Sequence, residues 1–539
     1  MKANKPFAVT VKPFYITYMK GYKLVGDLYI PKTDYPLPVI LMRTPYGKKS
    51  FNSLFDAVEV ARMGFVVVVQ HVRGRYESDG IFDPFLNEKS DSLLTVQWLR
   101  KQPWCNGQIY SIGVSYEGFT AMMCSFDPKL NAFASIASVS DIRNQWFFEG
   151  GTIRQAFVQA WSHSFAYTDT NRLSSEQKKE IQYLANDLTE LYKLTMEEFP
   201  AGKYLPYYSS WIDAKNASYW DEVESCTTVN LNDTNGYYVG GWYDIFCEGT
   251  ICDYQKAVVN TNKAQRLVIG PWSHNDLYSP LVGEVDFGIY SLKDVDQYDI
   301  IRWFSGIMKN EQVQTGVSIF VMGTNKWINM KDWPPGYSKK RMYFSSIKGA
   351  SSLYGDGCLT WEAVSEPGSD SFIHDKDNPV PSLGGRCLDA STSSAGRGGP
   401  FNQKQLELRE DVLLYTSEAL KTELTIMGLV ASKLSVLSSC DETAFHIKLV
   451  DVFPDGRDIN ILDSCIVTKQ KKNIMYEIQI NLGSTAYTFL AEHRIRCIIS
   501  SSSFPRISIN SDLLNSKVRQ VVYWGGNISS WVELPIVFI

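Results

Sequence analysis

The stretch Ile109-Tyr-Ser-Ile-Gly-Val-Ser-Tyr-Glu-Gly118 decides the fold class of this chain. Its apolar first half, Ile109 to Val114, predicts a short buried strand, and the residues after Gly118 are compatible with a helix. A serine in a sharp turn between a strand and a helix is typical of a nucleophile elbow, in which a strained turn projects the serine oxygen from the sheet. Ser115 is therefore the candidate nucleophile, and a serine in an ordinary βα turn is the alternative.

Strands and helices alternate on both sides of this elbow. Upstream, the sequence predicts strands at Leu37–Arg43 and Phe65–Gln70 and helices at Phe51–Met63 and Ser90–Lys101. Downstream, it predicts strands at Tyr237–Gly241, Arg266–Gly270 and Val317–Val321 and a helix at Ile300–Lys309. Such alternation indicates βαβ units and a parallel sheet.

Two other parts of the chain have a different character. Residues 142–236 are helical and aromatic and lack a parallel-strand pattern, which predicts a helical insertion. Beyond residue 340, short apolar or alternating segments are separated by Gly, Ser and Pro. That pattern is typical of an antiparallel β-sandwich.

Two residues could complete a catalytic triad with Ser115. Asp244 and His274 each follow a predicted strand, and open α/β sheets place their sites beyond the carboxyl ends of strands. Acyl transfer requires a base that takes the serine proton, and a carboxylate that fixes the tautomer of that base. A loop cap for Asp244 and a loop histidine without a catalytic role for His274 are the alternatives.

Composition excludes several classes of protein. The chain has 539 residues, 44% of them hydrophobic and 21% charged, with a net charge of -5. These values are those of a globular protein rather than a disordered chain, a collagen or a coiled coil. A slightly acidic chain is not expected to bind nucleic acid, which usually requires a basic face.

Targeting and cofactor signals are weak throughout. We find no apolar run of the roughly 18 to 20 residues that a membrane span requires, and no signal peptide. The ten cysteines are scattered and are expected to be reduced, so we expect a cytoplasmic protein. No metal-ligand spacing, P-loop or dinucleotide fingerprint is found, and we therefore expect no cofactor and no metal.

Several motifs give the chain a family resemblance. It resembles the cocaine esterase / X-Pro dipeptidyl peptidase family of serine hydrolases, which also includes the α-amino-acid ester hydrolases. The motifs that carry the resemblance are Arg43-Thr-Pro-Tyr46, Gln70-His-Val-Arg-Gly-Arg-Tyr-Glu-Ser-Asp-Gly80, Gly113-Val-Ser-Tyr-Glu-Gly118, Gly240-Gly-Trp-Tyr-Asp244 and Gly270-Pro-Trp-Ser-His274. Further matches in the C-terminal half extend it, in order, over nearly the whole chain.

The resemblance implies a fold that agrees with the three patterns described above. It implies an α/β-hydrolase domain, a mostly parallel sheet with helices on both faces, formed by residues 1–141 and 237–340. It further implies a helical cap at 142–236 and an all-β jelly-roll sandwich at 341–539. It also implies an oxyanion hole made by the hydroxyl of Tyr46 and the backbone N–H of Tyr116. A tyrosine that only packs beside Pro45 is the alternative for Tyr46.

The sequence departs from the family pattern at two named positions. His71 stands where the family usually has Asp, which puts the packing of that loop in doubt rather than the triad. Asn402 stands where an Asp is usual. These changes indicate a diverged member with its own substrate.

An aromatic cluster in the insertion is the candidate substrate-binding surface. Trp146, Phe147, Trp161 and Phe165 lie close together in the sequence and could form a wall over the acyl pocket. The alternative is that these side chains are simply the core of the cap.

The sequence therefore predicts a serine hydrolase that cleaves an ester or amide acyl bond of a small molecule or peptide. A covalent acyl-enzyme would form on Ser115, with His274 as base and Asp244 as its partner. The alternatives are an acyltransferase or cyclase that uses the same triad with another nucleophile, and an inactive binding scaffold. A homodimer is left open.

Overall fold

The computed structural model describes residues 7–18, 21–48, 55–168, 173–184, 192–213, 215–292, 298–351, 353–388, 397–508 and 517–538. Its first large element is a ten-stranded sheet. The strands of this sheet are β1 Val9–Thr17, β2 Lys23–Pro31, β3 Leu37–Thr44, β4 Val66–His71, β5 Cys105–Val114, β6 Ala132–Ile136, β9 Asn235–Tyr243, β10 Gln265–Ser273, β13 Gly316–Val321 and β14 Lys326–Met330. Their order across the sheet is β1-β2-β4-β3-β5-β6-β9-β10-β13-β14. The four intervening strands form two separate hairpins, β7 Phe148–Glu149 with β8 Thr152–Ile153 and β11 Leu281–Val282 with β12 Val285–Asp286.

The middle of this sheet is parallel, and its edges are antiparallel. Neighbouring strands from β4 through β3, β5, β6, β9 and β10 to β13 run in the same direction. Strands β2 and β14 pair with this parallel block in the opposite direction. Every side chain of β3, β4 and β10 is buried, as expected for strands that are covered on both faces.

Helices connect and flank these strands. They are α1 Ala57–Arg62, α2 Glu88–Arg100, α3 Tyr116–Met123, α8 Cys247–Ala257 and α9 Asp299–Met308. Helix α1 begins where the side chain of Asp56 accepts hydrogen bonds from the N–H groups of Val58 and Glu59. It is shorter than the predicted Phe51–Met63 helix, and residues 51–54 lie outside the described part of the chain.

Helices also dominate the described residues between β6 and β9. They are α4 Gln155–Thr168, α5 Ser175–Leu184, α6 Tyr208–Ile212 and α7 Ala217–Thr227, with short 3-10 turns at Pro200–Tyr204 and Leu231–Asp233. A π-helical turn at Arg143–Phe147 precedes them and carries Trp146 and Phe147. The predicted helical insertion is therefore observed, interrupted only by the β7–β8 hairpin in the described residues.

The C-terminal part of the chain forms a second, almost entirely antiparallel sheet. Its strands are β15 Ser338–Ser345, β16 Cys358–Thr360, β17 Gly368–His374, β18 Leu413–Thr416, β19 Leu424–Ser438, β20 Glu442–Val452, β21 Asp458–Lys469, β22 Tyr476–Phe489, β23 Arg494–Ser500, β24 Val518–Trp524 and β25 Trp531–Val537. The short helix α10 Lys404–Glu407 precedes β18. The long strand β19 pairs with β22, β24 and β25, so it links three strands of this sheet.

The predicted fold class, an α/β-hydrolase sheet with a helical cap and a C-terminal β-sandwich, is confirmed. Strand β5 is longer than predicted because its first residue, Cys105, is already in register with Leu37 of β3. Among the described residues, none of the helices combines the length and apolar character needed to cross a membrane.

Candidate active site

Ser115 occupies the single-residue turn between β5 and α3. Its backbone has φ 59° and ψ -125°, a left-handed conformation that is unusual for a residue with a side chain. The Ser115 N–H donates to the carbonyl of Ile136 on the neighbouring strand β6 at 2.8 Å, and this bond holds the turn against the sheet. Strain of this kind is costly, and it is found mainly where a site needs it.

The two glycines of the elbow are required by close packing. A Cβ on Gly113 would lie 2.2 Å from the carbonyl carbon of Glu117, and one on Gly118 would lie 2.7 Å from the Cβ of Ser138. Helix α3 thus approaches β5 and the end of β6 too closely for any side chain at either position. The second glycine stands at 118 because that residue faces the segment after β6.

Asp244 and His274 lie in contact at the carboxyl ends of β9 and β10. The Nδ1 atom of His274 is 3.1 Å from Oδ2 of Asp244, and the other oxygen of Asp244 accepts the N–H of Phe246 at 2.7 Å. The Asp244 side chain is completely buried, whereas the His274 side chain is 10% exposed. A carboxylate held on both oxygens keeps the ring in one orientation, with its Nε2 edge available for proton transfer.

Ser115 is one of the neighbours that lower the pKa of Tyr46 against the larger effect of burial, so the two side chains lie close together. In the described part of the chain the Ser115 side chain has no hydrogen bond to His274. The strands that precede Ser115, Asp244 and His274 all belong to the run β5-β6-β9-β10, so the three residues share one edge of the sheet. Catalytic hydrogen bonds are often long in a free enzyme and shorten when substrate binds.

Tyr46 is the predicted side-chain donor of the oxyanion hole. It follows β3, and its oxygen accepts a hydrogen bond from Nε1 of Trp161 at 3.0 Å. Burial raises the pKa of Tyr46 above the ordinary value of 10, despite the hydrogen bonds from Trp161 and Ser115. The phenol therefore keeps its proton at neutral pH, as a hydrogen-bond donor must.

Tyr116, the residue after the nucleophile, has its side chain turned into the protein. Its hydroxyl donates to Glu88 Oε1 at 2.9 Å and accepts the N–H of Phe85 at 2.9 Å. Glu88 in turn pairs with Arg43 at 2.6 Å, also out of contact with solvent. The Tyr116 amide is the first of helix α3, so it has no intrahelical acceptor and is available to an oxyanion.

The loop that carries Tyr46 is held from behind by a second motif. Nε of Arg75 donates to the carbonyl of Pro45 at 3.1 Å, and the hydroxyl of Tyr76 donates to the carbonyl of Tyr46 at 2.7 Å. Nδ1 of His71 lies 2.7 Å from a carboxylate oxygen of Glu77. Burial lowers the pKa of His71 to about 4, which keeps this histidine neutral near pH 7.

The aromatic side chains that the sequence predicts as a substrate wall form one packed cluster. Trp146, Phe147 and Phe165 are completely buried, and Trp161 is 8% exposed. Of these four, the structure brings Trp161 into contact with Tyr46, and Phe165 stacks on the Tyr46 ring at 6.0 Å. Phe147 packs within the cap against Trp211 and Trp220. The substrate-binding roles stay predictions.

Three residues near the triad were missed by sequence reasoning. Phe246 packs its ring 5.3 Å from that of His274, and its position two residues after Asp244 is the signal that could have found it. Arg154 of the cap donates to the carbonyl of Ile245 at 3.0 Å, and Arg386 donates to that of Trp242 at 3.0 Å. Both arginines lie far from residue 244 in the sequence, so no local pattern points to them.

Across the described ranges, no three His, Cys, Asp or Glu side chains gather in a way that could hold a metal ion. The chemistry that the arrangement itself offers is acyl transfer. It combines a partly exposed serine, an oriented imidazole and two neutral hydrogen-bond donors beside the same turn.

The sequence matches two family models. Residues 20–276 match the X-Pro dipeptidyl-peptidase (S15 family) model. Residues 312–518 match the model of the X-Pro dipeptidyl-peptidase C-terminal non-catalytic domain. The first match contains the elbow, Asp244 and His274, and the second covers most of the β-sandwich.

Individual relatives extend this similarity over the chain. The cocaine esterase of Rhodococcus sp. (strain MB1 Bresler) is 31% identical over 530 residues, which cover 91% of this chain and 90% of that protein. An aminopeptidase from a marine sediment Thaumarchaeota archaeon has a similar structure, with a TM-score of 0.77, 22% identity and coverage of 99% and 97%. An α-amino acid ester hydrolase has a TM-score of 0.76, 22% identity and coverage of 99% of each chain.

Proposed function

This chain belongs to the cocaine esterase / X-Pro dipeptidyl-peptidase family of serine hydrolases, and we propose that it hydrolyses carboxylic esters through an acyl-enzyme on Ser115. The observation that carries the proposal is the strained serine turn, which lies beside Tyr46 and shares a sheet edge with the Asp244–His274 pair. The cocaine esterase relative is the reason to place esters ahead of amides.

In the first half of the reaction, Oγ of Ser115 attacks the acyl carbon and His274 takes its proton. The carbonyl oxygen becomes an alkoxide, which accepts hydrogen bonds from the Tyr46 hydroxyl and the Tyr116 N–H. Protonated His274 then gives its proton to the leaving alcohol, and the C–O bond of the ester breaks. Asp244 stabilises the imidazolium and keeps it aligned.

In the second half, water replaces the leaving alcohol. His274 removes a proton from this water as the oxygen attacks the acyl carbon, and the same two donors stabilise the second alkoxide. When that intermediate collapses, His274 returns the proton to Ser115 and the carboxylic acid leaves. No cofactor is needed, because each step moves only a proton and an acyl group.

We infer that the substrate is a small molecule or a short peptide derivative. Helix α4 of the cap contacts Tyr46 through Trp161 and Phe165, and the aromatic cluster at this contact is tightly packed. An apolar wall of this kind favours an acyl group with a ring or a branched body over acetyl, since burying one ring can contribute ~2 kcal/mol.

Two measurements test the proposal. A fluorophosphonate probe should label the wild-type protein on Ser115, as read by peptide mass spectrometry, and Ser115→Ala should not be labelled. A panel of p-nitrophenyl esters, aminoacyl esters and X-Pro amides then assigns the substrate class. An adduct on another serine, or turnover of X-Pro amides with none of the esters, would contradict the proposal.

A further inference from the structure

The oxyanion-hole tyrosine has a hydrogen-bond partner that belongs to the cap. Trp161 lies on helix α4, 115 residues from Tyr46 in the sequence, and its Nε1 is 3.0 Å from the Tyr46 oxygen. An indole N–H can only donate a hydrogen bond, so the phenol oxygen must be the acceptor. The single proton of the Tyr46 hydroxyl is therefore directed away from Trp161.

Ser115 is the other polar side chain that acts on the Tyr46 oxygen in the described residues, and it lies where the reacting carbonyl must bind. A phenol with a free acceptor side could rotate its O–H between several directions. With the Trp161 N–H on that side, the O–H is confined to the remaining directions, which include that of the alkoxide. Alignment before the reaction is what makes such donors effective.

Trp161 itself is held firmly in place. Its ring stacks on Trp211 at 5.1 Å with 12° between the planes, and it packs 4.7 Å from Phe165, whose ring also stacks on Tyr46. Only 8% of Trp161 is exposed. The indole is thus a rigid group, and a rigid donor fixes its acceptor better than a mobile one.

We propose that Trp161 is a positioning residue for catalysis, which orients the Tyr46 hydroxyl toward the oxyanion through its indole N–H. This inference rests on the proposed function and gives the cap a part in the chemical step. On this proposal the oxyanion hole depends on three parts of the chain, the loop after β3, the elbow at the start of α3, and helix α4. The role differs from that of a wall residue, because it applies to every acyl group.

A double-mutant cycle tests the proposal. The four proteins are wild type, Trp161→Phe, Tyr46→Phe and the double variant, assayed for kcat and KM on p-nitrophenyl acetate, whose acyl group is too small to need a wall. Trp161→Phe should lower kcat by about 5- to 10-fold with KM nearly unchanged. In the Tyr46→Phe background the same change should alter kcat by less than about twofold, because the group it orients is gone.

Trp220→Phe is the matched control. Trp220 belongs to the same cap and is buried, and its Nε1 also donates a hydrogen bond, to the carbonyl of Asp213 at 3.1 Å. Its ring packs on Phe147 and Phe148 rather than on Trp161 or Tyr46. Any effect of Trp220→Phe should therefore be equal in the wild-type and Tyr46→Phe backgrounds. Replacing Trp161 by benzothienylalanine, which keeps the ring shape without the N–H, should reproduce the loss of Trp161→Phe.

The outcomes are separable. An equal loss of kcat from Trp161→Phe in both backgrounds, a change confined to KM, or a loss seen only with bulky acyl esters would overturn the positioning role. A normal kcat in Tyr46→Phe would overturn it as well, while leaving a serine hydrolase intact. Failure of the proposed function looks different, since ester turnover would then survive Ser115→Ala. Thermal unfolding of each variant shows whether it is folded.

Discussion

The hydrolase sheet and the β-sandwich both contain buried aspartate–histidine pairs of similar geometry. Asp244 and His274 are 3.1 Å apart at the edge of the parallel sheet. In the sandwich, His493 lies 2.9 Å from Asp451, and His446 lies 3.1 Å from Asp463. An Asp–His contact is therefore not by itself a sign of catalysis in this chain.

The surroundings of the pairs separate them. Asp451 also accepts the hydroxyl of Tyr487 at 2.7 Å, and Asp463 is paired with Arg506. These carboxylates use their remaining hydrogen-bonding capacity for cross-strand structure. The second oxygen of Asp244 instead accepts only the N–H of its own loop in the described residues, and a strained serine turn lies at the same sheet edge. The comparison teaches that the elbow, not the pair, is what distinguishes the candidate active site.

The largest effect is expected at Ser115, the proposed nucleophile, which lies at the edge of the hydrolase sheet. Ser115→Ala should lower ester turnover by about 10⁶-fold, because no other group can form the acyl-enzyme. The fold should be unaffected, since alanine can adopt the positive-φ backbone of this turn about as well as serine. Initial rates with a p-nitrophenyl ester and a thermal melt check both points. If Ser115→Ala kept a hundredth of the wild-type activity, another residue would have to be the nucleophile.

The next test contrasts two aspartates directly. Asp244→Asn should lower kcat by about 10⁴-fold, because an amide favours the wrong tautomer of His274. Asp451→Asn, the same change beside His493, should leave kcat within about twofold and instead cost about 1–3 kcal/mol of stability. Kinetics and chemical denaturation of both variants are the measurements. A strong loss of kcat in Asp451→Asn would mean that the sandwich pair takes part in catalysis.

A third comparison concerns two tyrosines, Tyr46 beside the elbow and Tyr487 beside Asp451 in the sandwich. Tyr46→Phe removes only the hydroxyl and should lower kcat by about 10²–10³-fold, since that hydrogen bond strengthens as charge develops on the substrate. Tyr487→Phe loses a hydroxyl that serves Asp451 and should affect stability alone. Both variants need kcat and KM determined separately. A raised KM with unchanged kcat in Tyr46→Phe would make Tyr46 a lining residue.

A smaller effect is expected from the cap. Trp146 packs 4.4 Å from Phe246, which in turn contacts His274, so Trp146→Ala should open the acyl side of the site. The ratio of kcat/KM for benzoyl over acetyl esters should exceed one in wild type and fall by roughly tenfold in the variant. Trp220→Ala, in the same cap but remote from Phe246, serves as the control. A ratio near one in wild type would identify the cluster as cap core only.

The smallest effect concerns His71, a buried histidine outside the proposed triad. The pKa of His71 is lowered to about 4 by burial, with Glu77, Lys48 and Asp27 as its charged neighbours. Its folded pKa lies below its unfolded value of 6.5, so its contribution to stability is complete above pH 6.5 and is lost as the pH falls toward 4. His71→Gln should flatten acid unfolding in that window and leave the pH profile of kcat/KM unmoved. A shift of that profile would mean that the titration of His71 contributes to the pH dependence of kcat/KM.

Much of the site could be read from local sequence patterns. The elbow around Ser115 is a strand, a turn and a helix in consecutive residues, and Asp244 and His274 each follow an apolar strand. The family motifs added Tyr46, which no local pattern distinguishes from a packed tyrosine. Two residues of those motifs also have a structural role, because Nε of Arg43 donates a hydrogen bond to the side chain of Gln70.

The sequence by itself determined the fold class and the candidate residues, because strand and helix periodicities and short motifs depend on neighbours in the chain. Only the tertiary structure decided which of these residues meet. It joins Trp161 of the cap to Tyr46, holds the Asp244 loop with Arg154 and Arg386, and places two further Asp–His pairs in the sandwich. Such contacts form between segments that are far apart in the sequence. The periodicity of a sequence describes only residues that are close together in the chain.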